Sequence, residues 1–498
     1  MIGSPTPYHD PIGEYNMENL KPTHVRIGIP LKGWEPSNDD SDPQNFNWPG
    51  FIDSGDMHNI FLLLQDLKNR NIPIVATVWD APDWMVSNPS NTNQRIIPSE
   101  MYDEAIESIA AFLLRAKNQY GVDIPYVSFN ESDGGWHIIF SSAELISFIK
   151  KAGARFGSLG LSSKWLTGDT GNASSLVSFA TPILQDATAR QYLGPLSFHS
   201  WDVANSADSV LSGIYNLAKQ YNLPVWCGEV GIDPNWQTIG PQLPTWDYAW
   251  KLAKIYHRVL KYSKASVLYY WEYQNDYSLV DPSTLVPYPS FYVVKQLADN
   301  LPPETDIVEI TSNDTELWLI AGKNTSRNHF MAQIINTSTT AKNVTISGLP
   351  NTTSGVLKRT IASENMQTIG TYSVTGGSVM LSLQAESIST LIMQLTLTGE
   401  GIHQMNLDKV KGYPNPCRIS KAFNQQFKII DLPIDAELHV YNSNGELIRK
   451  LYEKDFGNTG WVGWDGKNEA GEHVPQGIYT YVVISSVGRK TGKVGILK

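Results

Sequence analysis

The stretch YVSFNESDGGW, residues 126–136, opens as a buried strand and closes on charge. Tyr126, Val127 and Phe129 have the aromatic and β-branched character of a strand. The run then stops at Asn130, Glu131, Ser132, Asp133 and two glycines. A second stretch, LPVWCGEVGI at 223–232, behaves the same way and reaches Glu229 after Val225, Trp226 and Cys227. An acid placed where a hydrophobic strand runs out fits a parallel sheet whose working groups collect at the carboxyl ends of its strands.

Further runs of this kind flank the two. HVRIGIPL (24–31), IPIVATVW (72–79), SKWLTGD (163–169), LSFHSW (196–201) and SVLYYWE (266–272) are short and apolar without strict alternation, as parallel strands buried on both faces are. Helical segments separate most of them. In YDEAIESIAAFLLRAKNQYG, Ile106, Ile109, Ala110 and Leu113 recur at helical spacing, as do Leu252, Ile255, Tyr256 and Val259 further on. Repeated βα units predict a (β/α)8 TIM barrel over residues 1–300. Seven strands are evident. The eighth, which should come first, falls to the scrap near Met1–Pro5 or is missing, and a truncated start is the expectation.

After Leu301 the breaker NLPPETD changes the pattern. Residues 301–398 are rich in Thr, Ser and Asn with short alternating runs such as HFMAQIIN and STLIMQLTL, which predicts a β-sandwich. Residues 399–412 read as a linker. Residues 413–498, with the tight turns NSNGE and WDGKNEAGE, predict a second, immunoglobulin-like β-sandwich.

The chain has 498 residues and a net charge of −11, which argues against a nucleic-acid partner. No stretch is long and apolar enough to span a membrane, and MIGSPTPYHD does not read as a signal peptide. The two cysteines, Cys227 and Cys417, are expected to stay unpaired. Ligand spacing for a metal is absent, and no cofactor is expected. The acids of NDDSD (38–42) have the makings of a Ca²⁺ loop, but a solvated loop is the expected reading. Fifteen Trp and 23 Tyr leave aromatic faces to spare beyond core filling, and such faces stack on sugar rings.

Reading the strand ends in order gives Arg26, then Trp79 with Asp80, Asn130 with Glu131, Asp169, His199 with Trp201, Glu229, and Trp271 with Glu272. Glu131 and Glu229 lie 98 residues apart. A βα unit averages roughly 30 residues, so three units separate them. That sets the two acids on opposite walls of one narrow rim, as the fourth and seventh strands of eight. One carboxyl that donates a proton and one that attacks form the pair used to cleave a glycosidic bond.

Several motifs carry a family resemblance over residues 24–300. SFNES resembles the Asn-Glu pair that ends strand four in clan A glycoside hydrolases, and VWCGEVG resembles their strand-seven nucleophile segment. ATVWDAPDWM resembles the Trp-Ser-Pro-Pro-x-Trp-Met segment of glycoside hydrolase family 30, with Trp79, Pro82, Trp84 and Met85 matching and Asp80 and Ala81 departing. SFHSWD and YYWEY stand where the clan carries its strand-six His or Tyr and strand-eight Trp. Ser132 replaces the clan's usual Pro after Asn-Glu. The first sandwich resembles the family 30 side domain.

The resemblance implies a retaining enzyme with Glu131 as general acid/base and Glu229 as nucleophile. It implies that Asn130 bonds a sugar 2-hydroxyl and that Trp271 floors the subsite of the attacked sugar. Other residues keep two readings each. His199 either orients Glu229 or touches substrate, or is an interior histidine. Arg26 either holds Glu229 ionised or serves a buried structural ion pair. Trp79, Trp136 and Trp201 are sugar platforms or rim packing. Glu272 and Asp169 contact substrate or pair structurally.

The C-terminal segments YPNP, NSNGELI and GWDGKNEAGEHVPQGIYTY resemble the FlgD-like immunoglobulin fold and type IX sorting modules, which implies a secreted or cell-surface bacterial protein. The expected activity is a retaining glycoside hydrolase of the endo-β-1,4-xylanase or β-glucanase type, acting as a monomer on a carbohydrate polymer or oligosaccharide. The alternatives are an exo-acting β-glycosidase and a non-catalytic carbohydrate-binding barrel.

Overall fold

The computed structural model describes residues 10–497 except 135, 234–241, 274, 351, 396–406, 420–425, 434 and 457–459. Seven parallel strands pair in chain order: β1 (Val25–Gly28), β2 (Ile74–Val78), β3 (Tyr126–Phe129), β4 (Lys164–Thr170), β5 (Leu193–His199), β6 (Val225–Val230) and β7 (Val267–Tyr270). All seven fall on the apolar runs read from sequence. With their helices they form a (β/α)8-type barrel, nearly closed and short of one strand among the described residues. Met1–Pro5, the expected place of the first strand, lies outside those residues.

The ring of helices contains α1 (Pro11–Leu20), the one-turn α2 (Leu31–Trp34), α3 (Asp56–Asn69), α4 (Tyr102–Tyr120), α5 (Ser142–Ser158), α6 (Ala173–Gln185), α7 (Asp208–Tyr221), α8 (Trp246–Arg258) and α9 (Pro289–Ala298). Sequence periodicity missed α1, α6 and the one-turn α2. The first is held by local chemistry: Asp10 caps it by accepting from Gly13 N at 2.7 Å, and Pro11 starts it. The second does carry an apolar stripe of Ala173, Leu176, Ala180, Ile183 and Leu184, interrupted by Pro182. Helix α1 lies against the last βα unit. Buried Asn16 donates to the Tyr273 carbonyl at 2.8 Å, and Lys295 on α9 donates to the Asn19 carbonyl at 2.6 Å.

Alternation along the strands sorts the barrel into two cores. One face, with Ile27, Ala76, Val127, Phe129, Trp165, Phe198 and Cys227, packs on the helices. The inner face carries a small apolar plug of Val75, Leu166, Trp226 and Tyr269, with Tyr126 and Val267 against it. One step nearer the carboxyl end the inner face turns polar: Arg26, Thr77, Ser128 and Ser197 are each buried there. The plug closes the barrel below, so polar groups above it are dry and must find partners within the protein.

Beyond the barrel, strands between Asp306 and Gln394 form a six-stranded and a two-stranded sheet around a shared core. These sheets dock on α8 and α9 through a cluster of Ala249, Trp250, Ala253, Val293, Ile335 and Ile388. Gln296 of α9 locks the contact by donating to Thr390 Oγ1 at 2.9 Å. Strands between Lys411 and Leu497 make a three-stranded and a five-stranded sheet, whose core already includes Leu407 and Val410. Both cysteines are buried and free.

Candidate active site

Three strand ends depart from regular pairing where the key side chains sit: the register shifts near Gly168–Thr170, at Phe198–His199 and at Cys227–Val230. Such irregularities re-aim side chains at a barrel rim. At the end of β4, Gly168 takes φ +90 and Asp169 follows at φ 50, which turns Asp169 inward against Arg26. Glu131 also holds a positive φ, 47, and its N–H donates to the Asp169 carbonyl at 3.0 Å. Left-handed backbone at non-glycine residues is uncommon and concentrates at working sites.

Arg26 is the hub. It is fully buried, and its Nη2 donates to Asp169 Oδ2 at 3.0 Å and Asn130 Oδ1 at 2.7 Å. Its Nε donates to Thr77 Oγ1 at 2.8 Å, and Nη1 donates to the Gly228 carbonyl at 2.9 Å. Glu229 Oε1 stands 3.6 Å from Nη1, so the tight ion pair is with Asp169 and Glu229 is the looser partner. A Cβ at residue 228 would sit 2.6 Å from Asp169 Oδ1 and 2.9 Å from Arg26 Nη1, which is why glycine stands there. Burial alone would raise the Asp169 carboxyl, but Arg26, with His199 and Ser197, holds it well below the usual carboxylate range.

His199 joins the two glutamates. Its Nδ1 is 3.0 Å from Glu131 Oε1 and 3.3 Å from Glu229 Oε2, and ionised carboxylates accept only, so Nδ1 donates. Its Nε2 lies 3.0 Å from Arg26 Nη1 and 3.4 Å from Asp169 Oδ1. It accepts from Arg26 when the ring is neutral and donates to Asp169 when the ring is charged. Burial opposes the charged ring, but Glu229, Asp169 and Glu131 outweigh it and raise His199 well above its ordinary value. Burial pushes the Glu229 carboxyl up, with His199 and Arg26 pulling against it.

Facing oxygens of Glu131 and Glu229 lie within 4.8 Å of each other, with His199 inside the same distance. Three such ligand atoms could hold a divalent cation. Here Arg26 and His199 already supply positive charge to the same carboxylates, while Glu229 Oε1 keeps no hydrogen-bond partner.

The glutamates open into a cavity of about 790 Å³. Asn130, Trp79, Trp136, Trp201, Trp271 and Glu272 all line it. The indoles of Trp79 and Trp271 stand 5.8 Å apart, and Trp201 packs on Tyr277 at 5.9 Å, giving an aromatic belt above the acids. Trp136 is half exposed at the edge. Since Asn130 Oδ1 accepts from Arg26, its amide nitrogen is the group left for the cavity. Arg26 Cζ also sits 5.1 Å over the Trp79 ring, within cation–π range.

Tyr277, Asp233 and His137, not among the residues expected from sequence, share the lining. Tyr277 donates to Asp233 at 2.6 Å. Tyr277 ends a short 3-10 turn and Asp233 lies three residues past β6, where no periodic signal points to them.

No protein-family model matches the chain, and no curated protein matches it. Solved structures do. The chain is similar to a GH30 endoxylanase from Clostridium papyrosolvens C71, with TM-score 0.63 and 19% identity over 79% of this chain and 94% of that one. It is similar to the endo-β1,6-glucanase BT3312, with TM-score 0.56 and 16% identity over 77% and 86%. A conserved exported protein from Bacteroides fragilis gives TM-score 0.57 and 16% identity over 74% and 88%. At these identities the likeness establishes the fold.

Proposed function

We propose that the chain is a retaining glycoside hydrolase acting on a β-linked polysaccharide of the xylan or glucan type. The observation that carries this is the Glu131–Glu229 pair, with facing oxygens within 4.8 Å beneath an aromatic-lined cavity. Retaining enzymes hold their two carboxyl groups about 5–5.5 Å apart, too close for a water to attack from the far side.

Glu131 is the general acid/base and Glu229 the nucleophile. Glu229 is the deeper of the two, 3% exposed, and it faces Arg26. Glu131, 9% exposed, is nearer the solvent with which an acid/base must exchange protons. In the first step Glu131 gives its proton to the leaving oxygen while Glu229 attacks the anomeric carbon and forms a glycosyl ester. In the second, Glu131 takes a proton from water, which attacks the same carbon and frees Glu229. His199 donates to both carboxylates and steadies whichever is ionised. Trp271 and Trp79 support the sugar at the reacting centre, and Trp136 extends the aromatic surface outward, which favours endo action.

The fold shared with xylanase and glucanase structures supports this reading, with residues 1–300 proposed as the catalytic unit and 301–398 as its side domain; an export-related role for residues 413–498 rests on their FlgD-like motifs alone. The test is incubation with xylan, mixed-linkage glucan and β1,6-glucan, followed by sizing of products and proton NMR of the first-formed anomer. A β-anomer from a β-glycan supports the proposal. An α-anomer, or no cleavage of any β-glycan or aryl β-glycoside, overturns it.

A further inference from the structure

Away from the cavity, a second group of acids gathers where the loop after β1 folds onto α4. Ligand oxygens of Asp39, Glu104 and Glu107 all lie within 4.8 Å of one another. Glu104 and Glu107 sit at i, i+3 on α4, one face of the helix, where like charges repel. Glu35 adds a fourth carboxylate: its Oε1 accepts from the Asp39 backbone N–H at 3.2 Å.

Crowding alone would say little. The second observation is burial without partners. Glu107 is 1% exposed and its Oε1 has no hydrogen-bond partner. Glu104 Oε2 is likewise a buried oxygen without one. Among the described residues, no Lys or Arg forms an ion pair with any of the four acids. An uncompensated buried carboxylate is strongly destabilising. Left to themselves, burial and the neighbouring acids push Glu107 up to about 9 and Glu35 up to about 7.

The loop is nonetheless seated firmly. Asp39 Oδ2 accepts from Asn47 N at 2.8 Å, and Asn47 Nδ2 donates to the Asp39 carbonyl at 2.8 Å. The backbone of Gly50 passes so close that a Cβ there would lie 2.3 Å from Asp39 Cβ. Asp39 is thus held over the two helix glutamates by the chain itself.

We propose that Asp39, Glu104 and Glu107, with Glu35 behind them, bind a calcium ion that ties the β1 loop to α4. Several carboxylate oxygens converging with no nitrogen or sulfur donor suit a hard cation, and calcium accepts irregular geometry. The site is separate from the catalytic pair but braces its wall. Leu31 and Lys32 of α2, which leads into this loop, line the cavity, and the Glu35 carbonyl accepts from Trp84 Nε1 at 3.2 Å. Of the acids in that loop, Asp42 is exposed and Asp39 is partly buried.

The test uses the full chain, stripped with EDTA and desalted. Calcium titration by calorimetry should show saturable binding, and millimolar calcium should raise the melting temperature by about 4 °C or more. Asp39→Asn and Glu107→Gln should each weaken binding at least tenfold. Absence of any heat or melting shift with Ca²⁺, Mg²⁺ or Mn²⁺ in the stripped parent overturns the site, and so does undiminished calcium binding in both variants.

Discussion

Arg26 and Asp169 form a 3.0 Å ion pair at the centre of the barrel, 0% and 1% exposed, directly beneath the two glutamates. Removing one partner leaves the other charged and dry. Asp169→Ala should therefore destabilise the protein by about 3–5 kcal/mol. Thermal melting checks this, with a drop on the order of 10 °C expected. The pair also sets an acid limit. Asp169 is depressed in the folded state, so its contribution is complete above the unfolded carboxylate value and drains away as pH falls below about 4. The Ala variant should lose that acid sensitivity.

Glu131 and Glu229 are separable by an external nucleophile. Either Ala variant should lose about 10⁴-fold or more in kcat/KM on a glycan substrate. Azide should rescue both on an activated aryl β-glycoside. With Glu229→Ala it should yield the α-glycosyl azide by a single inversion. With Glu131→Ala it should yield the β-azide through the glycosyl ester. The same anomer from both variants would reverse or dissolve the assigned roles.

Glu229 must be ionised to attack, and burial holds its carboxyl above the usual glutamate range. The acid limb of kcat/KM should therefore lie at higher pH than an ordinary glutamate would give. His199 opposes that rise, so His199→Gln should move the limb to higher pH and lower the maximum rate. The sign for stability runs the other way. A carboxyl raised on folding disfavours the folded state as pH climbs through its titration. Glu229→Gln should thus melt at or above the parent near pH 7.

Trp271 and Trp136 differ in place and should differ in effect. Trp271→Ala removes the support beside the acids and should cut kcat/KM by about 10–100-fold on short and long substrates alike. Trp136 stands half exposed at the cavity edge. Its Ala variant should raise KM for polymer several-fold and leave cleavage of an aryl glycoside unchanged. Equal losses on both substrates would argue for exo action.

Part of this was legible in the chain. Strands and most helices announce themselves through local period, because each strand buried on both faces must be continuously apolar and each outer helix must keep one apolar stripe. The acids Glu131 and Glu229 were readable for the same reason, since a carboxylate that ends such a strand has only the rim to occupy. Helix α1 was not, because a cap and tertiary contacts hold it where spacing is weak, and α6 was missed although its apolar stripe is present, broken by Pro182.

What the amino-acid order determined by itself was the barrel, its open rim and the two glutamates that reach it. What only the tertiary structure decided was the pairing of charges. Arg26 takes Asp169 rather than Glu229 as its tight partner because Gly168 lets β4 turn Asp169 inward and Gly228 leaves room for it. Asp39 meets Glu104 and Glu107 because a loop from one strand end lies on the helix of the next unit. Hydrophobic period is a local property of the chain. The partner of a buried charge is chosen by whichever distant group the closed fold brings within reach.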